Sequence, residues 1–152
     1  MYRTILVPLD GSRRAEAILP HVQHMAKQSR ARVVLLKVED EPLLLDRDEV
    51  IDVEHYHAQL ERQRERDLVY LADIQNRFNL EDISADIRLT RDAVVKSILK
   101  IARDVSADLI AMATHGWSGL MRVSYGSVAA GVLQAAELPL LLIRSGDDRL
   151  EQ

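Results

Sequence analysis

The stretch that decides the fold runs from Asp108 to Gly116 and reads Asp-Leu-Ile-Ala-Met-Ala-Thr-His-Gly, and after nine further residues Gly126 and Ser127 follow. Its first part is a continuous apolar run, which is typical of a strand that is buried on both faces. The residues from Val128 to Ala136 are again largely apolar and predict a helix. The stretch therefore predicts a buried strand, a glycine-containing loop and a helix.

The loop and the start of the helix have the features of a phosphate site. Glycine lets the backbone come close to a ligand, and a helix N-terminus offers free N–H groups and partial positive charge to an anion. Gly116, Gly126 and Ser127 could instead be a turn glycine, a helix-start glycine and an N-cap serine. The sequence contains neither a Walker A motif nor a Gly-x-Gly-x-x-Gly run.

The rest of the chain alternates strands with helices. Besides the strand that starts at Asp108, apolar runs predict strands at 4–9, 32–38, 83–89 and 139–143. Helical spacing predicts a helix after the Ser12 cap, with a kink or a late start at Pro20, a long helix over 52–78 and a helix capped by Thr90. Such alternation predicts an α/β fold whose parallel sheet carries helices on both faces.

The sequence patterns of two segments predict surfaces that are exposed to solvent. Residues 83–89 alternate apolar and polar side chains, which is typical of an edge strand with one solvated face. Residues 61–67 are all polar, so we expect that part of the long helix to project into water.

Ligands of open parallel sheets bind at the carboxyl ends of the strands. Asp10, Val38 and the loop after Ala113 all lie at predicted carboxyl ends and should converge on one rim. Asp10 could accept a hydrogen bond from a ribose hydroxyl, hold Mg²⁺, or serve only as a turn carboxylate. Lys37 could face a phosphate, but we expect it to be a solvated surface cation.

Composition excludes several classes of protein. With 152 residues the chain fits one domain, expected over 1–145 and followed by a polar tail at 146–152. A net charge of −4 and the lack of a basic stripe argue against nucleic-acid binding. The chain has no cysteine, and we see no signal peptide or membrane span, so we expect a cytoplasmic protein that does not bind membranes.

At this point the chain resembles the universal stress protein family over essentially its whole length. The residues that carry the resemblance are 5–12, 108–116, Gly119, 126–128 and the strand that begins at Pro139. The family fold that this implies is a five-stranded parallel sheet in the order 3-2-1-4-5, of the adenine nucleotide alpha hydrolase-like type. Strand five would then be an apolar edge, and the resemblance implies that it pairs across a two-fold axis in a homodimer.

ATP-binding members of this family carry Gly-x2-Gly-x9-Gly-Ser/Thr, and this chain matches the pattern except for Ala113 at the first glycine. The resemblance implies a site for ATP or another adenine nucleotide, with Mg²⁺ as a further candidate. The implied site residues are Pro8, Asp10 and Val38 on the adenine and ribose side, Met112, Ala113, His115, Gly116 and Gly119 around the ribose and phosphates, and Gly126, Ser127 and Val128 at the phosphates.

The functional expectation is a dimeric ATP-binding module that acts in stress adaptation. No base or P-loop lysine is evident near the loop, so the sequence does not favour catalysis. Two alternatives stay open at this point: a slow ATPase or self-phosphorylating protein, and an interaction protein that binds no nucleotide. The residue before the valine is commonly histidine in the family, and here it is Lys37.

Overall fold

The fold is a five-stranded parallel sheet, and the computed structural model describes residues 1–39, 52–114 and 126–145 of the chain. The strands run in the order β3-β2-β1-β4-β5, which confirms the predicted α/β fold and its order 3-2-1-4-5. Each neighbouring pair is parallel. The strands are β1 (Thr4–Leu9), β2 (Arg32–Val38), β3 (Ala85–Thr90), β4 (Leu109–Thr114) and β5 (Leu140–Arg144).

Helices cover both faces of the sheet, as predicted. They are α1 (Arg13–Glu16), α2 (Leu19–Ser29), α3 (Val53–Leu80), α4 (Val94–Asp104) and α5 (Ser127–Ala135). Side chains of α2 and α3 pack on one face with Val7, Leu35 and Ala111, and those of α4 and α5 pack on the other with Leu6 and Ile110. Alternate residues of each strand therefore belong to different cores.

The first helical region follows the prediction closely. Ser12 caps α1, where its hydroxyl accepts a hydrogen bond from the Ala15 amide at 3.2 Å. The next helix starts late, at Leu19, with Pro20 in its first turn. Proline is tolerated there because its missing N–H would have no partner inside the helix.

The predicted Thr90 cap is wrong, and the alternative in which Ser127 is an N-cap does not hold either. Thr90 is the last residue of β3, where it pairs with Val38, and α4 begins after Ala93 instead. Strand pairing thus extends one residue further than the alternating pattern indicated. Ser127 is the first residue within α5, and Gly126 is its N-cap, without a side-chain capping bond.

The expected solvation of Lys37 and of the polar stretch in α3 is also wrong in part. Lys37 is 5% exposed and Asp67 is 9% exposed, although most residues around Asp67 face water. Lys37 lies on the same strand face as Val33 and Leu35, which α3 covers. The two buried charges meet there as an ion pair.

The long helix α3 has 28 residues, and its buried side chains include Leu71, Ile74 and Phe78. Its other faces are largely polar and exposed. Among residues 1–39, 52–114 and 126–145, no helix is both long enough and apolar enough to cross a membrane.

Candidate functional site

A cavity of about 180 Å³ opens at the carboxyl edge of the sheet. It lies where β1, β2 and β4 end and where α4 and α5 begin, as expected for an open parallel sheet. The structure brings together at this cavity seven of the residues predicted from the sequence, namely Pro8, Asp10, Val38, Met112, Ala113, Gly126 and Val128. Residues far apart in the chain thus form one rim.

One wall of the cavity is apolar. Leu36 and Met112 belong to the core between the sheet and the helices α4 and α5, and Val38 packs against that core. Ile98 and Ala129 close the wall from α4 and α5. An apolar wall between two helices is suited to bind a flat aromatic ring, which loses its contact with water when it binds there.

The polar rim of the cavity includes Asp10, which the structure fixes through Ser12. One carboxylate oxygen, Oδ1, accepts hydrogen bonds from the Ser12 amide at 2.8 Å and from its hydroxyl at 2.6 Å. Within the described ranges, Oδ2 takes part in no such bond. Asp10 can therefore present one oxygen to a hydroxyl donor or to a cation.

Two helices begin at the cavity without a capping side chain. Gly126 precedes α5 and Ala93 precedes α4, and neither residue forms a side-chain capping bond. Val94 at the start of α4 and Gly126 at the start of α5 both line the cavity. Uncapped N–H groups and the partial positive charge of a helix N-terminus stabilise an anion.

Ala113, which stands where the family pattern has a glycine, is near the end of β4. Its φ angle is not in the left-handed region that favours glycine. Its side chain packs against the α2 and α3 core, whereas Met112 faces the opposite core. The alanine therefore fits the local backbone.

The other four predicted site residues comprise three outside the described part of the chain and one that does not line the cavity. His115, Gly116 and Gly119 lie outside the described residues, so their predicted roles stay predictions. Ser127 is exposed on the first turn of α5 and is not among the residues that line the cavity. Within the described ranges, no cluster of three or more histidine, aspartate or glutamate side chains could hold a metal ion.

Sequence reasoning missed several residues of the cavity. These are chiefly residues of the flanking helices and strand ends: Leu9, Ala15, Leu36, Val94, Ile98, Thr114 and Ala129, while Lys37 was expected to be solvated. Strand periodicity could have found some of them, because Leu36 shares a face with Val38 and lies on the opposite face from Lys37. No local sequence pattern indicates that the residues of α4 line the cavity, since that depends on how the helix packs against the sheet.

Comparison with known proteins identifies relatives over nearly the whole chain. The model of the Universal stress protein family matches residues 1–144. A curated relative, Universal stress protein MJ0577 of Methanocaldococcus jannaschii, is 29% identical over an alignment that covers 95% of this chain and 96% of the relative. The solved structure of MJ0577 superposes with a TM-score of 0.78 and 27% identity, and covers 97% of this chain and 99% of its own.

Two further solved structures have the same fold. A universal stress protein family member from Burkholderia pseudomallei gives a TM-score of 0.73 at 28% identity, over 93% of this chain and 96% of its own. A family protein from Arabidopsis thaliana, solved with AMP bound, gives a TM-score of 0.68 at 14% identity, over 97% of this chain and 94% of its own. At that low identity the Arabidopsis structure shows the likeness of fold alone.

Proposed function

This chain belongs to the universal stress protein family, and we propose that it binds an adenine nucleotide, with ATP as its ligand, in the cavity at the carboxyl edge of the sheet. The observation that carries this proposal is that one cavity combines an apolar wall, a fixed carboxylate and uncapped helix N-termini. Those are the three kinds of surface that a base, a ribose and a phosphate group need. The AMP bound to the Arabidopsis relative supports the same ligand class.

In the proposed complex the adenine ring lies against the wall formed by Pro8, Val38 and Met112. The backbone of Val38, at the end of β2, offers polar groups to the edge of the ring. The free oxygen of Asp10 accepts a hydrogen bond from a ribose hydroxyl. Each of these residues lines the cavity.

The phosphates would extend toward the first turn of α5. Gly126, Ser127 and Val128 offer N–H groups there, and the Ser127 hydroxyl adds a donor. His115, Gly116 and Gly119 would complete the site from the loop between β4 and α5. Mg²⁺, if bound, would offset part of the charge of a triphosphate, and Asp10 would then be its carboxylate ligand instead of the ribose acceptor.

We further propose that the chain is a single cytoplasmic domain, from 1 to 145 and with a polar tail at 146–152, that works as a homodimeric regulatory module in stress adaptation. The support for dimerisation is β5, an edge strand whose five residues include four half-buried aliphatic side chains. An apolar edge of this kind readily pairs with a second strand. Family membership supports the proposed role in stress adaptation.

A slow ATPase activity is the second candidate function. Among the described residues its support is Asp10, a carboxylate at the rim that could hold a metal ion or orient water. Turnover that persists after rigorous purification and disappears in Asp10→Ala would establish it. Turnover that is equal in the wild type and in Asp10→Ala would point to a contaminating enzyme.

The proposed binding is tested by titrating the purified protein with ATP, AMP and cyclic AMP, each with and without Mg²⁺, in a calorimeter. We expect saturable binding of ATP with one nucleotide per chain. Guanosine triphosphate is the matched control, because it has the same phosphates and ribose. No heat of binding with any adenine nucleotide at millimolar concentration would refute the proposal.

A further inference from the structure

Two ion pairs join helix α3 to the carboxyl end of β2, one buried on both sides and one with a half-exposed arginine. Lys37 Nζ lies 3.2 Å from Asp67 Oδ2, and these side chains are only 7% and 12% exposed. Oε2 of Glu39, the residue after β2, lies 3.6 Å from Arg64 Nη1 of the same helix. The Glu39 side chain is nearly inaccessible, and it also lies 3.3 Å from Arg91.

The spacing of these charges fixes the position of α3 along the strand. Lys37 and Glu39 are two residues apart and share a strand face, whereas Arg64 and Asp67 are three apart and share a helix face. If α3 slid by one turn, both strand charges would be left buried without these partners. Buried ion pairs add little net stability, but in some proteins they specify one register among several.

Lys37 connects this helix to the turn that carries Asp10. Gly11 in that turn has a φ of +87°, and a side-chain carbon there would lie 3.5 Å from Lys37 Cε. The stem of Lys37 therefore runs directly beneath Gly11, in register beside Leu9. The lysine stem thus lies next to the turn, and its charge pairs with α3.

Tyr70 supports the same connection from one turn further along α3. Its hydroxyl is buried, and it lies next to the Gly11 backbone. Burial raises the pKa of Tyr70, and the carboxylates of Glu16 and then Asp10 raise it further, whereas the hydrogen-bonding effect of the Gly11 backbone lowers it. The Asp10 carboxylate therefore acts electrostatically on a side chain of α3.

From this geometry we infer that Asp67 is a positioning residue for the nucleotide site, which acts through Lys37 to hold the turn formed by Asp10, Gly11 and Ser12. The inference rests on the proposed function, since it makes the docking of α3 and the occupation of the cavity depend on each other. Such coupling is reciprocal: nucleotide that fixes the turn also fixes α3. A partner that bound α3 would in turn change nucleotide affinity.

The first test needs no ligand. In nitrogen–proton NMR spectra of the full chain, Asp67→Asn should shift the Gly11 and Ser12 amide resonances. The matched control is Glu65→Gln, which removes a carboxylate from an exposed position on the same helix and should leave both resonances in place. Unchanged Gly11 and Ser12 resonances in a folded Asp67→Asn protein would overturn the inference.

The second test measures nucleotide affinity. Asp67→Asn should weaken ATP binding by at least about five-fold, the lower end of typical coupling between sites, and Glu65→Gln should not. In the Asp10→Ala background the same change should have little further effect, because the group that Asp67 positions is gone. Additive losses would show that Asp67 acts only through general stability and would contradict the inference.

Asp67→Asn leaves Lys37 without its buried partner, so the single variant could unfold. The double variant Lys37→Met/Asp67→Leu replaces the pair with apolar side chains of similar volume and should fold. We expect it to show displaced Gly11 and Ser12 resonances and weaker binding, while a folded double variant with wild-type resonances and affinity would refute the inference. If the wild type bound no nucleotide, the proposed function would fail, and the ligand-free spectra would still decide whether Asp67 holds the turn.

Discussion

Asp10 and Ser12 are joined twice, since one carboxylate oxygen of Asp10 accepts both the Ser12 amide at 2.8 Å and the Ser12 hydroxyl at 2.6 Å. The same hydroxyl accepts a hydrogen bond from the Ala15 amide and so caps α1. Ser12 therefore fixes the carboxylate at the rim of the cavity and also the helix that follows. Within residues 1–39, 52–114 and 126–145, the other carboxylate oxygen accepts no hydrogen bond.

The first prediction compares the contributions of Asp10 and Ser12 to ATP affinity. Asp10→Ala should weaken ATP binding by roughly ten-fold or more, since a hydrogen bond to a charged group contributes about 1.5–3 kcal/mol. Ser12→Ala should weaken it less, because the Ser12 amide still holds the carboxylate. Calorimetric titration of both variants checks the order, and a larger loss in Ser12→Ala would contradict it.

Ser12→Ala should also lower stability. Loss of an N-cap side chain costs about 1 kcal/mol, so the free energy of unfolding in urea should fall by that amount. Asp10→Ala removes no helix cap and should change stability less. Equal losses of stability in both variants would show that the cap contributes nothing.

The second prediction concerns the start of α5. Gly126→Asp places a carboxylate where the proposed site holds phosphate, and should weaken ATP binding by about a hundred-fold or more through like-charge repulsion. Aspartate and asparagine are both good N-caps, so neither variant should lose stability. Gly126→Asn is the matched uncharged control, and binding lost equally in both variants would show that charge is not the cause.

The third prediction addresses Ala113, the departure from the family pattern. Because its φ is not left-handed and its side chain packs toward α2 and α3, Ala113→Gly should change ATP affinity by no more than about two-fold. Glycine inside a strand should lower the free energy of unfolding by about 0.5–1 kcal/mol. A large gain in affinity would mean that the Ala113 methyl group obstructs the site.

The fourth prediction tests the proposed dimer. Pro139 and Ser145 bond to β4 through Ile110 and Thr114, so alternation along β5 directs the Leu142 amide away from β4. Leu142→Pro removes that donor without breaking a bond to β4, and should make the protein monomeric in sedimentation equilibrium. Leu142→Ala keeps the amide and should stay dimeric, whereas a dimeric Leu142→Pro protein would place the interface elsewhere.

The fifth prediction follows from the raised pKa of Tyr70. Above its ordinary pKa of 10.0 the phenol loses its proton in the unfolded state and keeps it in the folded state. Stability that the buried phenol contributes is therefore complete below pH 10 and is lost as the pH rises further. The wild type should lose up to about 1.4 kcal/mol per pH unit more than Tyr70→Phe does in this range.

Urea unfolding of the wild type and Tyr70→Phe at pH 9, 10 and 11 measures this difference. The comparison cancels the titration of lysines and of the other tyrosines. Parallel loss of stability in the two proteins would contradict a raised pKa for Tyr70.

The sequence predicted the sheet well because its strands carry a strong local signal. The strand β2 was predicted at 32–38 and is found there, since a valine-rich apolar run of this length is typical of a strand and too short for an ordinary helix. The strand order came with the family resemblance, and the structure confirms it. Caps were harder, because Thr90 is competent both to pair in a strand and to cap a helix.

The ion pair between Lys37 and Asp67 could not be predicted from the local sequence pattern. Asp67 lies in a stretch of α3 whose other members face water, and only the packing of α3 over β2 makes its burial possible. Lys37 interrupts an apolar strand, which indicates burial, but its partner is thirty positions further along the chain. Long-range pairs of this kind leave no trace in helical or strand periodicity.

Native mass spectrometry of the protein mixed with ATP and Mg²⁺ tests the central claim most directly, because one spectrum reports ligand and assembly together. The account predicts a dimer with up to two nucleotide adducts for the wild type and for Glu65→Gln, and a dimer without adducts for Gly126→Asp. A wild-type spectrum that shows no adenine nucleotide adduct at saturating ligand would contradict the account.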